Sequence, residues 1–168
     1  MTLPGQVGRT ARLLGYAGLL PQVACVSVIL ARRSDWIGFA IATAILYAGL
    51  ILSFLGGIWW GFAMRRERGR HRLAIVAVVP SLAALAIGIS LERALNAGVA
   101  GERCYLWAAL ALGLCQWATV PIDARLERRG EAPPGWTRFR LMLSLGLGGL
   151  TMAAGVLFHH WARTVTYI

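Results

Sequence analysis

Apolar residues dominate five stretches of this 168-residue chain, and short arginine-bearing segments separate them. The stretches fall at about residues 13–31, 36–64, 73–91, 104–122 and 139–158. Each is long enough for a helix to cross a bilayer core of about 30 Å. The second exceeds that length, so it tilts or emerges at one end. The pattern predicts an all-α integral membrane bundle of five transmembrane helices in one domain, residues 1–168. The first stretch follows Arg9 and Arg12 and ends in Ala31-Arg32-Arg33, without a small-residue cleavage site. It reads as a retained span rather than a signal peptide.

Charge gives the orientation. All 17 basic residues are arginine, against 7 acidic ones, for a formal charge of +10. Twelve arginines flank the odd side of the spans: Arg9 and Arg12; Arg65, Arg66, Arg68, Arg70 and Arg72; and Arg125, Arg128, Arg129, Arg138 and Arg140. The other side holds five. The positive-inside rule then puts the amino terminus in the cytoplasm and the carboxyl terminus in the periplasm of a bacterial inner membrane. Arginines spread between apolar blocks fit anionic lipid at the cytoplasmic face, not a nucleic-acid partner. Trp36, Tyr105, Trp107 and Trp161 fall at the expected outer interface and Trp136 at the inner one.

Polar residues inside the spans concentrate on the cytoplasmic side. Gln22, Ser53, Ser81, Gln116 and Ser144 lie there, one on each span, with Pro21, Pro80 and Pro121. Each proline leaves a carbonyl one turn earlier without its helical donor, and in lipid that carbonyl needs another partner. Gln22 and Gln116 are the donors expected to supply it. The layer either joins helices by hydrogen bonds or lines a pocket for a lipophilic molecule with a polar head. Asp123 closes the fourth span beside Arg125 and is expected to be a solvated or paired boundary residue.

Gly49, Ser53, Gly57 and Gly61 recur every four residues and make a stripe of small side chains with a GxxxG. They are expected to pack against another helix, with Ser144 to Gly149 of the fifth span as one partner face. Trp59 and Trp60 point to the sides of that stripe, free to anchor at the interface or roof a pocket.

Candidate chemistry is sparse. Three cysteines without a CxxC fit neither a disulfide framework nor zinc. His159-His160 point in different directions on a helix, so no metal site is expected. No catalytic or nucleotide motif is present and no cofactor is implied.

The run ILSFLGGIWWG at residues 51–61 resembles the signature of domain-of-unknown-function family 3429, small bacterial inner-membrane proteins whose family extends to mitochondrial transmembrane protein 69. LGYAGLLP at 14–21, PPGW with FRLMLS at 133–144, and Asp123 resemble it too. The resemblance implies five spans and no established activity. Where this chain has Trp59, that family often has histidine or another residue. Size, helix number and seven tryptophans also resemble the tryptophan-rich sensory/translocator proteins, whose motif residues do not match here.

The expected function is non-enzymatic: binding of membrane-protein partners or support of complex assembly. The alternative is binding or transport of a lipid, quinone or tetrapyrrole by the inner-half residues Gln22, Ser53, Trp59, Trp60, Ser81, Gln116 and Asp123. An intramembrane enzyme would need Asp123 as its acid or base.

Overall fold

The computed structural model describes residues 7–66 and 70–166. Arg68 and the side chain of Arg70, two of the arginines counted for orientation, lie outside the described residues. The described chain forms α1 (Arg9–Ala17), α2 (Leu20–Leu30), α3 (Ser34–Met64), α4 (Arg70–Asn96), α5 (Gly101–Ala118), α6 (Val120–Arg128) and α7 (Trp136–Thr166). Joined across two breaks, these make five helices long and apolar enough to cross a membrane.

Both breaks sit just before a proline. Pro21 occupies the first turn of α2 and Pro121 the first turn of α6. There a missing N–H costs nothing, because the first turn of a helix has no acceptors for it. Two carbonyls beside the breaks accept from hydroxyls, though neither is the one that its proline deprives of a donor, Ala17 for Pro21 and Trp117 for Pro121. The Tyr47 hydroxyl donates to the Gly18 carbonyl, and the Thr119 hydroxyl donates to the Gln116 carbonyl at 2.7 Å. Gln22 and Gln116 make other bonds, described below.

Helix α3 lies at the centre of the bundle and packs against α2, α4, α5 and α7. Its buried residues are Ile37, Ala40, Ile41, Ala44, Ile45, Ala48, Leu52, Leu55, Gly56, Trp59 and Ala63. Their spacing of three and four marks one face of a helix. That face runs through Ala44, Ala48, Leu52 and Gly56, the last three lying one residue before Gly49, Ser53 and Gly57 of the expected small-residue stripe. One residue is about 100° around a helix, so the stripe is turned away from the tightest contact.

A methyl group at Gly56 would collide with the Ala77 carbonyl of α4, whereas one at Gly57 or Gly61 would meet nothing within 4 Å. Gly49 retains only an ordinary contact, 3.8 Å from Ala84 Cβ. Close packing between α3 and α4 thus belongs to Gly56, opposite Ala77 and Pro80. Of the α7 glycines, Gly148 and Gly155 serve α5 rather than α3: a methyl on Gly148 would stand 2.9 Å from the Gly113 carbonyl, and one on Gly155 2.5 Å from Ala109 Cβ.

Candidate functional site

The arginine-rich end of the bundle contains a buried charged centre. Pro121 restarts the chain as α6 after Thr119, and Asp123 in the first turn of that helix is fully buried. Its Oδ1 accepts Trp59 Nε1 from α3 at 2.9 Å and Trp136 Nε1 from α7 at 3.1 Å. Its Oδ2 accepts Arg140 Nε at 3.0 Å. Arg140 is 5% exposed, so this is an ion pair inside the protein. Burying a lone carboxylate is costly enough that it persists only when paired and hydrogen-bonded. Three donors, one from α3 and two from α7, meet that requirement.

Helix α7 supplies most of the centre through a repeat of four. Trp136, Arg140, Ser144 and, further along, Leu147, Thr151 and Ala154 share one face, as positions three and four apart do. Arg140 Nη2 donates to Ser144 Oγ at 3.5 Å. Deeper in the bundle, Gln22 Nε2 donates to Thr151 Oγ1 at 3.0 Å, and Thr151 donates to the Leu147 carbonyl at 2.7 Å. The carbonyl oxygen of the Gln22 side chain is buried without a partner. Gln116 Nε2 donates at 3.0 Å to the carbonyl of Ala48, inside an unbroken stretch of α3.

The turn from α6 into α7 is tied down by acids. Glu127 accepts the backbone N–H of Gly135 at 2.6 Å and of Thr137 at 2.7 Å, capping the start of α7. Gly135 has φ +83, a left-handed backbone that glycine adopts without strain. Arg66, from the α3–α4 connection, pairs with Glu131. These contacts fix the register in which Trp136 and Arg140 face Asp123.

The expected site residues therefore separate. Gln22, Trp59, Gln116 and Asp123 belong to the buried layer. Asp123 is not solvated and its partner is Arg140, not Arg125, because α6 turns it inward. Trp136 likewise points into the centre rather than serving only as an interface anchor. Ser53 and Ser81 line a separate lateral groove of about 480 Å³ between α3 and α4, with Gly49, Ala84 and Gly88. Trp60 is 46% exposed on the outside. Arg140, Thr151 and Trp136 were missed as site residues. The spacing Trp136, Arg140, Ser144 was the available signal, hidden because Arg140 stands in a run that reads as loop flank.

Beside the charged centre lies a cleft of about 160 Å³, where the α1–α2 break faces α3 and α7. Gly18, Leu19 and Phe54 form apolar walls, and Gln116, Arg140 and Ser144 supply the polar ones. Leu14 and Phe54, at its edge, are 68% and 65% exposed, so the cleft opens on the apolar flank of the bundle. The guanidinium of Arg140 spends Nε and Nη2 on Asp123 and Ser144. Five N–H donors are available on arginine, which leaves donors for a guest. Among the described residues, no three His, Cys, Asp or Glu side chains converge as metal ligands would.

A model of the family described as "Protein of unknown function (DUF3429)" matches residues 7–157. The chain belongs to that family. Every residue of the charged centre and of the cleft falls within the matched range. No curated protein and no solved structure matches this DUF3429 member.

Proposed function

We propose that this DUF3429 member is a multi-pass inner-membrane protein, amino terminus inside, that holds a lipophilic molecule with a polar head in its cytoplasmic half and catalyses no reaction. The observation that carries this reading is the cleft itself. It joins aliphatic walls open to lipid with Gln116, Ser144 and unspent donors of Arg140. Mostly apolar walls with a few convergent polar groups are the usual make-up of a small-molecule site. Asp123 supports the non-enzymatic part, since an acid or base must reach the proton it transfers, and this carboxylate is enclosed by three donors.

The test is native mass spectrometry of protein purified in mild detergent, followed by solvent extraction. A stoichiometric small molecule should accompany the protein, be lost in Gln116→Leu and Ser144→Leu, and persist in Ser53→Ala and Ser81→Ala. Protein that is empty under these conditions overturns the reading. The arginine asymmetry supports the orientation, and reporter fusions to the carboxyl terminus check it: a cytoplasmic signal would reverse it.

A second reading, docking of a membrane-protein partner, draws on the outer face of α3. Gly57 and Gly61 leave open space there beside exposed Trp60. A helix of a partner could approach that face closely. Gly57→Leu with Gly61→Leu should then abolish a specific co-purifying protein while leaving the fold intact.

A further inference from the structure

A second depression, of about 450 Å³, lies on the other flank of the α1–α7 contact, between Arg12 and Tyr16 of α1 and Pro134, Arg138 and Phe139 at the entry to α7. We infer that it is a head-group site for an anionic phospholipid, with Arg12 and Arg138 on the phosphate and Tyr16, Phe139 and Met142 along the start of the acyl chains.

Two arginines far apart in sequence line one hollow, and both are exposed. The ion pairs among the described residues are Arg66 with Glu131 and Arg140 with Asp123, so neither Arg12 nor Arg138 has an acidic partner. Two unpaired guanidiniums bring a concentrated positive charge to one spot, and planar guanidinium forks suit phosphate oxygens.

The floor beneath them is built, not loose. The Tyr16 and Phe139 rings meet edge to face at 5.9 Å, and the Tyr16 hydroxyl lies 3.4 Å from Met142 Sδ. Gly15 permits this: a methyl there would stand 3.2 Å from Leu143 Cδ1 and run into the Phe139 ring. Beside the arginines the hollow turns apolar, with Tyr16 and Met142 exposed at 42% and 44%. Charge above an apolar slope is the profile of a phospholipid at the membrane boundary, not of a soluble anion. Basic hollows at helix ends on the arginine-rich side bind anionic head groups in this way. The site stands apart from the cleft at Arg140 and does not depend on what occupies it.

The experiment is titration of the detergent-solubilised protein with phosphatidylglycerol or phosphatidylcholine, read as bound lipid by native mass spectrometry. Arg12→Gln and Arg138→Gln should each weaken phosphatidylglycerol binding about fivefold, and the double variant about thirtyfold, as expected for near-surface arginines. Phosphatidylcholine binding should not change. Arg163→Gln, at the opposite end of α7, should bind as the parent does. Unchanged phosphatidylglycerol binding in the double variant, or an equal loss in Arg163→Gln, overturns the proposal. Displacement of the lipid by millimolar inorganic phosphate overturns it too, since the hollow would then be a soluble-anion site.

Discussion

Arg140 Nε donates to Asp123 Oδ2 at 3.0 Å, joining the end of the fourth span to the beginning of the fifth inside the protein. A buried pair of this kind is weak evidence for stability, because desolvation offsets the attraction. Breaking it is another matter, since one charge is left behind. Asp123→Asn should therefore destabilise the protein by about 3–5 kcal/mol. The double change Asp123→Leu with Arg140→Met should cost far less than the two single changes together. Unfolding in detergent, run as a double-mutant cycle, measures both. Additive single and double effects would mean that the pair does not act as a unit.

The two indoles on Asp123 should each contribute to stability, and their joint removal should cost more than the sum. Trp59→Phe or Trp136→Phe removes one hydrogen bond to a charged group, worth about 1.5–3 kcal/mol. With both removed, Oδ1 has no side-chain donor left. The loss should then exceed the sum of the single losses. Thermal midpoints of the three variants provide the check.

Gln22 carries a different expectation. Its amide N–H bonds Thr151 while its oxygen is buried and unpartnered. Leucine there removes one good bond and one unmet acceptor together, and interhelical bonds of this type contribute about 0.6 kcal/mol. Gln22→Leu should leave stability within about 1 kcal/mol of the parent. A much larger loss would point to a water bridging that oxygen.

Among the glycines of α3, position 56 should be the sensitive one. Gly56→Ala drives a methyl into the Ala77 carbonyl and forces α3 and α4 apart, costing about 1–3 kcal/mol as overpacking does. Gly61→Ala meets open space and should be neutral or slightly stabilising through better helix propensity. Melting temperatures in the same detergent compare them directly. Equal effects at the two positions would contradict the packing described here.

Much of the architecture was legible along the chain. Block length alone fixes the count of spans, since lipid admits no backbone left unpaired. Which proline breaks its helix was not legible, because α4 runs on through Pro80 while the chain breaks before Pro21 and Pro121. The concentration of polar residues toward one end was also readable, because depth along a helix is a matter of counting residues. Facing was not. Gly56 and Gly57 are indistinguishable in a glycine pair, yet about 100° of rotation puts one against Ala77 and the other in open space. Counting residues along the spans puts Ser53 and Gln116 at similar depths, yet one lines a lateral groove and the other bonds α3.

The sequence by itself determined five apolar spans and an arginine-rich end, because hydropathy and charge act locally against a layered solvent. Only the tertiary structure decided that Asp123 belongs to Arg140, Trp59 and Trp136. Those partners come from two other helices, α3 and α7, and the break at Thr119 and the turn at Gly135 must both be in place before they can meet. Pairing across a bundle depends on how each helix is rotated about its axis, and that angle is set by the sum of all packing contacts rather than by any one residue.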